Sequence, residues 1–378
     1  MLRFHITPEI NDHQKQCDHM KKQLADLFRS DALREMFSVL ETDESSIEDR
    51  YGVRRISDGR VVEVPELGAS MTASGRTPAK MESDESMSRT PVRPAGLQES
   101  LEQHRERLYD IFRELGFIDI NKPALDRWDR VVILGGAQND IYTRVKGAIR
   151  YITPAVKSVD GVACYRPISP MERSRSSFEA KSDTEFGVMS EVFCSELPVE
   201  FMGYTDRFTS DRNLNRVSNI RCFQTRDVTD GVSSAGQGLR QTAIGASAGQ
   251  DLGRTATDSS ISQSLGRVAV DTPQAYRIYA APSSEPDIRR ADTGDSVWFY
   301  LDDGGVSPDD KLLFITRNRY CNRQLLQIFS YMMKRDHINC FDIVGCLSDD
   351  ELEQRDDYNI LKYIQEVIAL LSWGRKLG

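Results

Sequence analysis

The chain has 378 residues, a formal net charge of -9, and a hydrophobic content of 39%, low enough that polar, unpacked stretches are expected beside a real core. The length holds one large domain or two small ones. The acidic balance argues against sequence-specific nucleic-acid binding, because a phosphate backbone rewards a basic surface.

The first residues lack the apolar core of a secretory signal, and no stretch approaches the roughly 18 uninterrupted apolar residues of a membrane span. The seven cysteines are odd in number and form no CxxC. This pattern fits reduced thiols in a cytoplasmic or cytosol-like compartment, although export by a non-classical route is also compatible.

Residues 1–45 form an N-terminal helical region. Leu24, Leu27, Phe28, Leu33, Met36, Phe37 and Leu40 recur at three- and four-residue spacing over 8–40 and mark an apolar helix face. The face serves either a helical hairpin packed on the main domain or a protein partner. Residues 46–97 are polar, aperiodic and punctuated by Gly and Pro, as expected of a flexible linker.

The main domain is expected over 98–378. A helix from about residue 100 stops at Gly116. The run 131–134 reads as a buried parallel strand, being apolar on both faces and followed by Gly135-Gly136. A helix over 141–152, a strand over 161–165, a helix over 183–196 and a short strand over 199–202 follow. Residues 224–275 are rich in Gly, Ser, Thr and Ala and lack any aromatic, which marks a disordered insertion or a mobile lid. A strand over 275–280, a helix over 293–303, strands over 311–316 and 341–344, and helices over 321–334 and 356–373 complete the alternation. Alternating helices and strands predict an α/β fold, a Rossmann-like three-layer sandwich with a mostly parallel sheet.

Four places in this pattern carry candidate chemistry. At Gly135-Gly136-Ala137-Gln138-Asn139-Asp140 the glycines allow a tight turn and close approach of a ligand. The next helix offers free amides and a favourable dipole to an anion. Gly135, Gly136, Asn139 and Arg144 are therefore candidate ligand contacts; the plain alternative is a tight turn with Arg144 facing solvent. The run is neither GxGxxG nor a P-loop.

Thr316-Arg317-Asn318-Arg319-Tyr320-Cys321-Asn322-Arg323 lies between a strong strand and its helix, where open sheets bind ligands. Three arginines stand out against the acidic chain. Arg grips phosphate or carboxylate in a fork, so Thr316, Arg317, Asn318, Tyr320 and Arg323 are further candidates. A salt-bridged surface turn is the alternative. Glu185, in Asp183-Thr184-Glu185, either caps a helix or acts as a base. Asp292 and Asp295, three residues apart, either cap a helix or supply acid and hydroxyl-binding groups.

The five histidines form no HxxH or HExxH pair, and the cysteines have no zinc spacing, so no metal is expected. Cys321 could be a thiolate at a helix start, though without an evident histidine partner.

The residues VVILGGAQNDIYTRVKGAIRYI, then Thr184-Glu185 with Met189, then Thr293 and Asp295, and finally ITRNRYCNRQLL with Thr316 and Arg323 resemble, in order, the motifs of the DUF218 family. The likeness covers 128–200 and 275–345. Tyr320 stands where that family has a histidine, and a phenol of pKa about 10 does not replace imidazole as a base near neutrality. The resemblance implies a Rossmann-like domain with a nucleotide-type cofactor or ligand, in a group linked to envelope and peptidoglycan-precursor functions.

These features lead to an enzyme acting on a nucleotide or phosphorylated sugar by transfer or hydrolysis. Arginines and glycine-loop amides would hold the phosphate, and Glu185, Asp292 or Asp295 would orient a hydroxyl or water. The alternatives are a non-catalytic nucleotide-binding or sensing module, and a secreted effector that engages a protein partner through its N-terminal helices or its insertion.

Overall fold

The computed structural model describes residues 4, 6, 12–40, 101, 103–119, 122–204, 213–226, 275–333, 341–347 and 357–377. The expected linker over 46–97 and most of the insertion over 224–275 lie outside them. Residues 224 and 225 instead end a strand, and residue 275 begins one.

The N-terminal helices α1 (His13–Phe28) and α2 (Asp31–Val39) are capped by Asp12 and Ser30, whose side chains accept the Lys15 and Leu33 amides. Helix α3 (Arg105–Glu114) ends at Gly116, with φ of 78°. The Gly116 amide donates to the Arg113 carbonyl and the Phe117 amide to that of Phe112, a Schellman closure that needs the left-handed glycine.

Strand β1 (Arg130–Leu134) leads into α4 (Gln138–Ala148), then β2 (Ser158–Ala163), α5 (Pro170–Ser174), α6 (Glu185–Glu196), β3 (Val199–Tyr204) and β4 (Asn219–Thr225). After these come β5 (Ala275–Ala280), α7 (Thr293–Asp303), β6 (Leu312–Arg317), α8 (Cys321–Met333), β7 (Phe341–Cys346) and α9 (Asp357–Leu377).

The sheet has seven strands in the order β3-β4-β5-β2-β1-β6-β7. Five of them, β5-β2-β1-β6-β7, are parallel. Strand β4 runs antiparallel to both β3 and β5, which adds a two-stranded edge to a doubly wound sheet. From β1 the chain passes to β2, then to the far edge at β3, returns through β4 to β5 beside β2, and crosses back to lay β6 and β7 on the other side. The point of reversal is the gap between β1 and β6, the place where open α/β sheets take their ligands.

Both sheet faces are covered. Val131 and Ile133 pack with α4 and α6 on one face, while Val132 and Leu134 pack with α3, α7, α8 and α9 on the other. This explains the uninterrupted apolar run of β1. The N-terminal pair joins the second layer: Met20, Leu24, Leu27, Leu33, Met36 and Leu40 are buried in it. The backbone of Gly374 in α9 lies so close to α1 that a β-carbon there would be 3.0 Å from Leu24 and 3.1 Å from Phe28. The apolar face of these helices is spent on the chain's own core.

Two strands differ from the sequence expectation. Strand β2 begins at Ser158, three residues before the expected start, and its polar Ser158 and Asp160 are buried in a network with Tyr300 and Arg130. Strand β4 has no counterpart in the sequence reading. Its Asn219 is buried, and its Arg221 lies 4.7 Å from the Phe186 ring and 5.2 Å from the Phe201 ring, so polar letters occupy packed positions.

Candidate functional site

The carboxyl ends of β1 and β6 bring the two motifs singled out by the sequence to one edge. The Gly135 amide donates to the Val162 carbonyl at 2.7 Å, extending the β1–β2 pairing by one residue. A β-carbon on Gly135 would fall on Glu185 Oε1 and lie 2.8 Å from the Val162 carbonyl oxygen. On Gly136 it would lie 3.0 Å from Arg144 Nη1 and 3.3 Å from Asp140 Cβ. Gly135 therefore requires glycine because of close approach, while at Gly136 a side chain would have to press Arg144 aside.

Helix α4 starts directly beyond this turn. Its N-cap, Ala137, makes no side-chain hydrogen bond to the first turn. By contrast, α6 is capped by Thr184, which accepts the Gly187 amide at 3.2 Å, and α7 by a reciprocal box between Asp292 and Asp295. The amides and dipole of α4 are thus left facing the switch point. Asn139, in the first turn, is half-buried, and its side chain makes no hydrogen bond among the described residues.

Arg144 is buried rather than solvent-facing. Its Nη1 donates to the carbonyls of Leu134, at 2.8 Å, and of Gly135. Its Nε has no hydrogen-bond partner. Burial depresses its pKa, with the nearby Asp140 carboxylate opposing the change.

Glu185 does not cap its helix; Thr184 does. The Glu185 side chain turns inward, where Oε2 accepts from Arg166 Nε at 2.8 Å and faces the Cys164 thiol at 3.7 Å. Oε1 lies against Gly135 and accepts no hydrogen bond. Burial pushes the carboxyl up, opposed by Arg166 and then Arg144. Arg166 is shared with Glu172, at 2.8 Å.

The second motif is more internally satisfied than its letters indicate. Arg317 Nη1 donates to Thr143 Oγ1 at 2.8 Å and pairs with Asp140 Oδ1 at 3.4 Å, while Arg319 reaches the same oxygen at 3.8 Å. Arg323 pairs with Glu366 of α9, Nε to Oε2 at 2.6 Å. Thr316 is buried and bonds Gln324. Asn318 donates to the Phe117 carbonyl at 2.8 Å, and Asn322 to that of Leu115 at 3.1 Å, so both asparagines serve the C-terminal end of α3. Cys321 is buried, with its thiol toward the Arg317 carbonyl at 3.8 Å. The Tyr320 ring is the common neighbour of three guanidinium groups: Arg319 at 4.9 Å, Arg323 at 5.6 Å and Arg144 at 5.7 Å.

Asp292 and Asp295 form the cap of α7, with Asp292 near enough to Arg323 to raise the arginine's pKa. Asp295 is held by Arg289 at 2.6 Å and accepts the amides of Asp292, at 3.0 Å, and Ser284, at 3.2 Å. Asp292 accepts the Asp295 amide at 3.0 Å, and burial raises its pKa, reinforced by the Asp295 charge.

The sequence reading missed Asp140 as the partner of two arginines, and Arg166, Glu172 and Glu366 altogether. Arg166 was within reach of the same logic that found Arg317, because it follows the carboxyl end of a parallel strand. Glu366 was not, because only the tertiary fold brings α9 beside α8. Around the switch point, Arg144, Arg166, Arg317, Arg319, Arg323 and Lys362 outnumber Asp140, Glu172, Glu185, Asp292 and Glu366 by one. An acidic chain has thus gathered a local excess of positive charge. Among the described residues, no three His, Cys, Asp or Glu side chains are placed together to hold a metal ion, and no helix is long and apolar enough to cross a membrane.

Comparison of the chain with protein-family models, with curated proteins and with solved structures returned no match.

Proposed function

We propose that the protein is an enzyme acting on a nucleotide or phosphorylated sugar, with the phosphate seated on the Gly135-Gly136 turn and the start of α4. One observation carries this reading: the α4 N-cap, Ala137, leaves the helix amides without a side-chain partner at the point where the sheet reverses its strand order. The local excess of positive charge supports an anionic ligand. Asn139 is available to a second polar group of that ligand.

Glu185 is the residue best placed to move a proton for transfer or hydrolysis. Its carboxyl is raised by burial, is anchored through one oxygen, and presents the other toward the turn. Asp292 and Asp295 are less suited, since their oxygens already serve the α7 cap and Arg289. Arg317 and Arg323 act through the field they set and the residues they position, because each is already paired. The order of motifs that resembles that of the DUF218 family is in keeping with this edge of the sheet.

A second reading, a binding or sensing module without turnover, is favoured by one feature: Tyr320 occupies the position where a general base would be expected from that resemblance. Mass spectrometry of small molecules released from gently purified protein tests the proposal. A phosphate-bearing compound is expected in the wild type and a reduced amount in Gly136→Ala, whose new methyl presses on Arg144. A phosphate-free occupant would overturn the ligand class. If the wild type does not consume the released compound while Glu185→Gln binds it equally well, the sensing module replaces the enzyme.

A further inference from the structure

We infer that Glu185 carries a proton when the site is filled, so that the glycine turn takes up a tetrahedral oxyanion together with one proton from solvent. The inference rests on reading that turn as the phosphate site and specifies how the phosphoryl group is recognised.

Glu185 is 6% exposed, and its two oxygens have different surroundings. Oε2 is occupied by Arg166 Nε and the Cys164 thiol. Oε1 has no hydrogen-bond partner and fills the space that a side chain on Gly135 would take. It therefore borders the turn whose far side leads into the uncapped α4, next to Arg144 with its unpartnered Nε. An ionised Oε1 there would face an incoming oxyanion at close range beside the buried carboxyl, where like charges repel. The neutral acid reverses the interaction, because its O–H donates a charge-assisted hydrogen bond to the ligand.

The surroundings tolerate the proton. The charged and titratable groups facing Glu185 are Cys164 and Arg166 from the segment after β2, and Arg144 from α4, with Glu172 of α5 on the far side of Arg166. Arg166 lies 2.8 Å from both Glu172 and Glu185. When Glu185 becomes neutral, Glu172 still balances Arg166, so no buried cation is left alone. Burial of the Glu185 carboxyl works in the same direction.

Sulfate is the clean probe, because it has the shape and charge of a phosphate dianion but stays fully ionised across the working pH range. Titration calorimetry of the full chain with sulfate, in two buffers of different ionisation enthalpy and at pH above the pKa of Glu185 in the empty site, should show proton uptake approaching one per anion. Affinity should fall about tenfold for each pH unit above the pKa of Glu185. Glu185→Gln should bind sulfate with no proton uptake and with a flat pH profile. Sulfate binding that takes up no proton and whose affinity does not fall at any pH up to the alkaline end of the range would overturn the inference and leave the phosphate site standing. Binding of phosphate but not sulfate would also overturn it, by making Glu185 an acceptor for a ligand hydroxyl. If neither anion binds, the reading of the turn as a phosphate site falls, and this inference falls with it. Should the variant not fold, the wild-type buffer comparison decides alone.

Discussion

Arg323 and Glu366 face each other from the first turn of α8 and the middle of α9, with Nε to Oε2 at 2.6 Å and Nη2 to Oε1 at 3.5 Å. Both side chains are largely buried, 14% and 12% exposed. Arg323 therefore ties the last helix to the edge of the sheet. Arg323→Ala leaves Glu366 as a buried carboxylate without its partner, and the expected loss is about 3–5 kcal/mol. Urea unfolding measures it. The double variant Arg323→Met with Glu366→Leu should recover most of that loss, since it removes both charges together. If Arg323→Ala instead unfolds like the wild type and loses ligand, the arginine is a direct contact after all.

Gly135→Ala tests the other side of the crevice. The added methyl meets Glu185 Oε1 and the Val162 carbonyl, so the ends of β1, β2 and α6 must move apart. An overpacked position of this kind costs about 1–3 kcal/mol. Thermal unfolding should show the loss, and sulfate affinity should fall further than stability alone explains, because Oε1 is displaced. Wild-type stability would mean that the turn is looser than its contacts indicate.

Much of the domain was legible because its strands are unusually clear. The run at 131–134 and the middle of 311–316, residues 312–315, are apolar and buried on both faces, and 275–280 alternates. The end of α3 was readable because Gly116 stands there, whereas the cap of α6 is Thr184 and not the acidic residue that the sequence offered. The misses share one cause: a polar residue buried by a partner distant in sequence reads as a surface residue. Asp160 hid the start of β2 because Tyr300, 140 positions away, satisfies it. Arg221 hid β4 because its guanidinium lies over the Phe186 and Phe201 rings. In the site, the sequence located both loops but not their pairing. Arg317 and Arg323 looked available because Asp140 lies across the sheet edge on α4 and Glu366 on the last helix.

The amino edge of the sheet carries an electrostatic pair with opposite pH behaviour. Asp160 is fully buried; burial raises its pKa, against hydrogen bonds from Ser158, at 2.6 Å, and Tyr300, at 2.8 Å. Asp310 is held below the usual carboxylate value: burial opposes this, but Lys157, the Ser307 amide and Arg130 outweigh it. A raised carboxyl binds its proton more tightly in the fold, so its stabilising effect is complete below the unfolded pKa and is lost as pH rises through the folded one. A lowered carboxyl contributes above the unfolded pKa, and that contribution is lost as pH falls through the folded value. Asp160→Asn should therefore gain on the wild type as pH rises from the unfolded to the folded pKa of Asp160, by about 1.4 kcal/mol per pH unit across that window. Asp310→Asn should cost most near neutrality and least in acid. Urea unfolding across pH separates them, and parallel curves for both variants and the wild type would contradict the assignment.

Tyr320 is the hinge between the arginine cluster and the glycine turn. Its ring is bordered by the guanidinium groups of Arg319, Arg323 and Arg144, and Arg144 in turn reaches the carbonyls that end β1. Contacts of this kind are worth about 0.5–2 kcal/mol each, more where water is excluded. Tyr320→Phe keeps the ring face and should lose less than about 1 kcal/mol, with sulfate affinity nearly intact. Tyr320→Leu removes the aromatic face, frees Arg144 to shift toward Gly136, and should weaken sulfate binding about tenfold or more, a change of about 1.4 kcal/mol. If the phenol hydroxyl itself touches the ligand, Phe and Leu will be equally impaired. The pair of variants thus decides whether Tyr320 positions the arginines or meets the ligand directly.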